Sequence, residues 1–185
     1  MIFENDRATT DLYEISEELV RGLPGELSDP YAADRPWTRA VTEGLREMGE
    51  ARNLMVCCHG SRAGEWLLDV IWMDKKEHSV ALAVESEWGS QKQVEDDFDK
   101  LMSIKAGRKL LLFSTKNHKG ADVIIKQLEA NMRAYPYHLV GEEYLLLEVT
   151  APGAFRYCFK VPNDGRQDDV TFEVVGNPLS WPWKP

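Results

Sequence analysis

An α/β (α+β) domain, a mixed central β-sheet flanked by helices, is the fold class that three observations predict. Amphipathic stretches of helical period open the chain, short apolar runs bounded by turn residues follow, and the two kinds then alternate. At 185 residues, with 43% apolar and 29% charged residues, the chain is long enough for one domain with a full hydrophobic core. Residues 1–185 are therefore expected to form a single unit.

Residues 11–22 place Leu12, Ile15, Leu19 and Val20 on one face, which predicts a first helix. A second is expected to start near Asp34 as N-cap, with Pro36 in its first turn, and to run to about Arg52; Trp37, Val41, Leu45 and Met48 form its buried stripe. Stretch 23–35 and the proline-rich tail 178–185 read as loops. From residue 54 the period shortens to the runs 54–59, 65–73 and 78–88, with the charged turn Asp74-Lys75-Lys76-Glu77 between the last two. These runs predict an antiparallel meander. Residues 91–106 return to helical period through Val94, Phe98, Leu101, Met102 and Lys105, with Gly107 placed for a C-terminal cap. The apolar run 109–115 suits a buried strand, 120–134 a further helix, and 144–149, 155–161 and 170–175 are β-rich.

Several function classes are disfavoured at once. The longest apolar runs fall far short of the roughly 20 residues that span a membrane as a helix, and the N-terminus Met-Ile-Phe-Glu-Asn-Asp-Arg has no basic stretch followed by an apolar core. The expected compartment is the cytoplasm. A formal net charge of -9 sets up an average field that repels phosphates, which argues against a general nucleic-acid coat protein but leaves room for a local site. Cys57, Cys58 and Cys158 include no Cys-x-x-Cys spacing and read as core thiols; Cys58-His59 lacks the second pair of ligands that a transition-metal site needs. His59, His78, His118 and His138 are scattered without a nucleophile partner, and no glycine-rich phosphate cradle occurs.

The feature that carries chemistry is a set of carboxylates inside apolar strands. In run 65–73, Trp66, Leu68, Val70 and Trp72 alternate with Leu67, Ile71 and Met73, and Asp69 interrupts the second face. In run 78–88, Val80, Leu82, Val84 and Trp88 occupy one face; Ser79, Ala81 and Ala83 lead on the other into Glu85 and Glu87. The small residues allow a helix to pack close. A hairpin turning near Glu77 sets Asp69 across from Glu85, at the roughly 4.5–5.5 Å that paired Cβ atoms keep. Carboxylates that close must share a proton or a cation, and hard oxygen ligands favour Mg²⁺, Mn²⁺ or Ca²⁺ over zinc.

The succession Leu68-Asp69-Val70, Val84-Glu85-Ser86-Glu87, helix 91–106 and strand 109–115 resembles the core of the PD-(D/E)xK nuclease superfamily, the restriction-endonuclease-like fold. The resemblance covers about residues 36–115 and makes 143–176 a C-terminal β-rich extension. It implies a Mg²⁺-dependent (or Mn²⁺-dependent) hydrolase of phosphodiester bonds in DNA or RNA, with Asp69 and Glu85 as metal ligands. Glu87 takes the position usually held by lysine, as in some restriction enzymes of the superfamily, and Leu68 stands where proline is common. The family often adds an acid from the preceding helix; Glu47 lies nearer the edge of the buried stripe than Glu43 and is chosen for that role. Lys100 and Lys105 read as ordinary face residues before either is taken as a displaced motif lysine.

Each assignment has a plainer competitor. Asp69 can be a structural aspartate bonded to Arg62, Lys109 or backbone amides, and Glu85 and Glu87 a strand end emerging into water. The six tryptophans, Trp181 and Trp183 included, suit the core or a subunit interface ahead of base stacking, and a homodimer or partner interface is the reading preferred for them. The net charge and the missing lysine also fit a catalytically inactive nuclease-fold protein that acts as a binding or regulatory partner.

Overall fold

The computed structural model describes residues 11–24, 34–115, 118–150, 153–162 and 171–180. Its strands are β1 (Met55–Cys58), β2 (Val70–Met73), β3 (Val80–Glu87), β4 (Arg108–Ser114), β5 (Glu143–Thr150), β6 (Gly153–Lys160) and β7 (Thr171–Ser180), and they form one seven-stranded sheet in that same order. The first three pair antiparallel, as the meander predicted. β4 then lies parallel to β3 and β5 parallel to β4, whereas β6 and β7 return antiparallel. Parallel neighbours need a crossover, and α3 (Gln91–Ser103) and α4 (His118–Ala134) supply the two. The mixed α/β class follows.

The sheet is covered on both sides, as the continuous apolar runs of its central strands β4 and β5 require. Helices α1 (Leu12–Gly22) and α2 (Asp34–Ala51) bury Ile15, Leu19, Trp37 and Leu45 against Val70, Trp72, Leu82, Val84 and Leu110. α3 and α4 bury Phe98, Leu101 and Leu128 against Ile71, Ala83, Leu111 and Leu146. Neighbours Cys57 and Cys58 divide between the two layers, and all three cysteines are free and buried. Asp11 caps α1 by accepting from the amides of Tyr13 (2.8 Å) and Glu14 (3.1 Å), and Ser90 with Gln93 closes a capping box on α3. No helix among the described residues is long and apolar enough to cross a membrane.

α2 lies unusually close to the sheet. A Cβ on Gly49 would fall 2.6 Å from both Trp72 Nε1 and Val56 Cγ2, and Trp72 Nε1 donates to the Leu45 carbonyl at 3.0 Å. Gly49→Ala is therefore expected to destabilise by about 1–3 kcal/mol through overpacking, although alanine is the better helix former by roughly 1 kcal/mol. A lower urea midpoint with an unchanged slope checks it.

Besides the tail, where Pro178–Ser180 continue β7 and are not loop, four expectations change. The run 65–73 is a strand only over Val70–Met73, and Trp66 and Leu67 stand in solvent. β1 ends at Cys58, paired with Val70, after which the turn at Gly60 (φ 72°) and Gly64 (φ 82°) carries the chain off the sheet and leaves residues 65–69 without a partner on the β1 side. Leu68 consequently packs with Ile71 and not with Val70. Second, the register shifts between Trp72 and Met73, so that Trp72 faces Leu82 and Met73 faces Val80. This bulge moves Val80 to the α3 layer and Ala81 to the α2 layer, which breaks the expected alternation before Leu82. Third, α3 ends at Ser103 with extended Ile104 as its cap, so Gly107 does not cap it. Fourth, Trp37, Trp72 and Trp88 are core residues; Trp181 and Trp183 lie outside the described residues.

Beneath α3 and α4 lies a buried polar cluster. Lys109, 0% exposed, donates to Glu142 Oε1, to Tyr144 Oη (3.0 Å) and to the Met102 carbonyl (3.4 Å). Glu142 Oε2 also meets His138 Nδ1 (3.0 Å) and accepts from the Leu139 amide (3.1 Å), and His138 Nε2 lies 2.7 Å from the Met132 carbonyl. Lys109 is thus committed away from Asp69.

Candidate functional site

Asp69 and Glu85 meet where β2 begins and β3 nears its end. Val70 pairs with Val84, so one further step sets Asp69 opposite Glu85. Side chains secure the step that the ladder no longer makes. The Asp69 amide donates to Glu85 Oε2 (3.3 Å), while Asp69 Oδ2 accepts from the Ser86 amide (2.9 Å) and hydroxyl (2.6 Å). Ser86, not Arg62 or Lys109, is the anchor of Asp69.

The helix on that side brings in two further groups. Asp97 and Lys100 lie one turn apart on α3 and are joined at 2.6 Å, and Lys100 Nζ stands 3.3 Å from Glu85 Oε1. That approach is an ion pair, long for a hydrogen bond, and it is sealed from solvent on the carboxylate side, where Glu85 is 3% exposed. Burial, reinforced by the charges of Asp69 and Asp97, pushes the Glu85 carboxyl up to about 8 against the pull of Lys100. Asp69 is raised by burial too, with the Ser86 hydrogen bonds opposing it. Lys100 is pushed up to about 12, chiefly by its bond to Asp97, so it is cationic at neutral pH.

The pair opens into a cavity of about 950 Å³. One wall is α2, with Arg39, Thr42 and Arg46; another is the segment from His59 to Leu68; Asp69, Glu85 and Lys100 form its base. Trp88 ties that helix to the end of β3: its Nε1 donates to Thr38 Oγ1 at 2.9 Å and its ring lies 5.6 Å from that of Trp37.

The structure brings together some of the residues singled out from the sequence and not others. Asp69 and Glu85 adjoin. Glu87 follows on the same face of β3 but is not part of the cavity lining; its Oε1 accepts from the Gly89 amide (2.6 Å), and burial raises its carboxyl. Glu47 is exposed and lines a second cavity of about 570 Å³ with Pro24 and Gly44, away from Asp69. Glu43, passed over for Glu47, lines the first cavity, joined to Arg46 at 2.7 Å. Lys105 is exposed beyond the end of α3. Asp97 went unread in the sequence, although it stands on the apolar stripe between Val94 and Leu101, and a polar residue at that period is the signal that finds it.

Among the described residues no three histidine, cysteine or carboxylate side chains converge as a closed metal cage. Mg²⁺ does not need one, because it keeps several waters and takes one or two carboxylates together with substrate phosphates. Two adjacent carboxylates, one with a buried oxygen lacking a hydrogen bond, fit that demand. No protein-family model matches the chain, and no curated protein matches it significantly.

Proposed function

We propose that this chain is a Mg²⁺- or Mn²⁺-dependent hydrolase of phosphodiester bonds, a nuclease of the PD-(D/E)xK type, with Asp69 and Glu85 holding the ion. The observation that carries the reading is the Asp69–Glu85 pair at the base of a large cavity, with Glu85 Oε1 buried and met there by the Lys100 ammonium. The succession of two acidic strands, a helix and a strand on which the resemblance rests is a contiguous unit, β2 to β4, with β4 beside β3; this supports it further.

A bound divalent ion would polarise a phosphate oxygen and acidify a water there. The chain's own groups do the rest. Lys100 is already protonated, so it cannot act as base; held by Asp97, it supplies fixed positive charge beside Glu85, where the scissile phosphate gathers negative charge. Ser86 fixes Asp69 through two donors and leaves its orientation no freedom. Glu87, to which the resemblance gives the water-orienting position, lies outside the cavity lining with Oε1 held by the Gly89 amide, and takes no part in this scheme.

Purified protein with Mg²⁺ or Mn²⁺ is expected to cut DNA or RNA. Asp69→Ala is expected to lose more than the roughly 10–100-fold that outer-shell partners of a metal command. Absence of cleavage on single- and double-stranded DNA and RNA, or cleavage that survives Asp69→Ala, would overturn the reading. One observation favours a second one, a nuclease-fold protein without catalysis that binds a partner: Lys100 already lies against Glu85 and offsets its charge. Calorimetric titration with Mn²⁺ separates the two, since tight binding lost in Glu85→Ala counts against the second.

A further inference from the structure

Two large apolar side chains stand at the rim of the cavity instead of in the core. Trp66 is 53% exposed and Leu67 83%, and both line the same cavity as Asp69 and Glu85. The other described tryptophans are buried. The segment that presents Trp66 is tied down by its own hydrogen bonds: the Cys58 amide donates to Ser61 Oγ (3.2 Å), Ser61 Oγ donates to the Gly64 carbonyl (3.2 Å), and the Gly64 amide returns to the Ser61 carbonyl (3.2 Å). His59 Nδ1 and Glu65 Oε1 close it at 2.6 Å. A ring held at the mouth of a polar cavity offers a face to a flat partner.

The α2 wall offers charge. Arg39 and Arg46 on α2 line the cavity, and the Nε of Arg46 is buried without a hydrogen-bond partner while its Nη2 is held by Glu43. Four arginine and lysine side chains in the lining face four carboxylates, so the cavity has no large net charge with which to attract a polyanion. Affinity for a phosphate backbone must come from a contact that does not depend on net charge. Stacking on Trp66 is such a contact, and only unpaired bases leave a face free for it, since a duplex uses both faces of each base within its own stack.

We infer that the cavity takes single-stranded nucleic acid, with an unpaired base stacked on Trp66 and the adjoining phosphates against Arg39 and Arg46. The inference rests on the nuclease reading for the bond that is cut, but not for binding itself. It makes Trp66 the residue that selects single strands over duplex.

Fluorescence anisotropy of the full chain tests this, with EDTA present to prevent cleavage and a labelled oligothymidylate of about a dozen nucleotides as probe. The single strand is expected to bind at least about tenfold tighter than a duplex of equal length. Trp66→Ala is expected to weaken single-strand binding by at least about tenfold, while Trp66→Phe keeps most of it. Because Trp66 is exposed, both variants are expected to keep the wild-type circular dichroism spectrum. Oligothymidylate binding equal in wild type and Trp66→Ala, or duplex binding as tight as single-strand binding, would overturn the inference. Metal-dependent cutting of duplex without oligothymidylate binding would overturn it and leave the nuclease reading standing. Trp66-dependent binding without cleavage of any substrate would support it and remove the nuclease reading.

Discussion

Lys109→Met is expected to lower the free energy of unfolding by about 3–5 kcal/mol, because it leaves the carboxylate of Glu142 buried without its cation. Both side chains are sealed from solvent, so water cannot replace the lost partner. The loss should appear as a lower urea midpoint with an unchanged slope. The double variant Lys109→Met/Glu142→Gln removes both charges and keeps an acceptor for His138 and the Leu139 amide, so it is expected to recover part of the loss; a double variant no better than the single would refute the account. Acid should expose the same cluster. Burial works against ionisation of Glu142, but the hydrogen bonds from His138 and Lys109 outweigh it and hold the carboxyl below its usual 4.5. A carboxyl depressed in the folded state contributes stability above its unfolded value, and that contribution disappears as pH falls below 4.5 through the folded value.

Glu85→Gln is expected to act in opposite directions on stability and on activity. In the folded chain Glu85 keeps its proton up to about pH 8, whereas an unfolded glutamate releases it near 4.5. Its stabilising protonation is therefore fully present below 4.5, is lost progressively as pH rises toward 8, and leaves a fixed penalty beyond that. Glutamine carries no such penalty. Without divalent metal, the variant should be more stable than wild type at pH 8 to 9 by on the order of 4–5 kcal/mol, with the two converging below pH 4.5. Metal binding to the wild type should narrow the gap at high pH, because an ion that binds only the folded state stabilises it. Phosphodiester cleavage should fall by about a thousandfold or more, since the amide gives up the charge that holds the ion. A variant equal to wild type in stability at both pH values would show that Glu85 is not strained by its burial; one that keeps its activity would remove it from the metal site.

Strong periodicity made much of the fold legible. Leu12, Ile15 and Leu19, or Val94, Phe98 and Leu101, repeat at a spacing only a helix buries, and the structure buries them so. The pairing of Asp69 with Glu85 was legible for a similar reason, as register follows from the alternation and the turn. The failures have a common cause in long-range geometry. Trp66 and Leu67 look like strand residues, but β1 stops at Cys58 and gives them no partner on its side, and the turn through Gly60 and Gly64 leads the chain off the sheet. The bulge opposite Trp72 has no local signature.

Polarity out of place is also a weaker guide than it first appears. Glu148 interrupts an apolar strand as Asp69 does, yet it is satisfied by Thr115 Oγ1 (2.6 Å) and Tyr157 Oη (3.1 Å). Glu142 is satisfied by Lys109 and His138. Glu85 differs in retaining an oxygen without a hydrogen bond, and that is a property of assembled neighbours. Lys100 shows the converse, a surface-spaced lysine that the packing of α3 turns toward a buried acid.

The sheet order has a consequence for how the molecule is put together. Because each strand lies beside the one made just before it, no strand has to be inserted between two that are already paired. The sheet can be extended one edge at a time as the chain leaves the ribosome, with only short-lived open edges. Among the described residues, every one that lines the cavity lies between Arg35 and Lys100. The described lining is therefore all present once α3 docks, and β4 to β7 act as its foundation: they extend the sheet behind the site and contribute none of that lining.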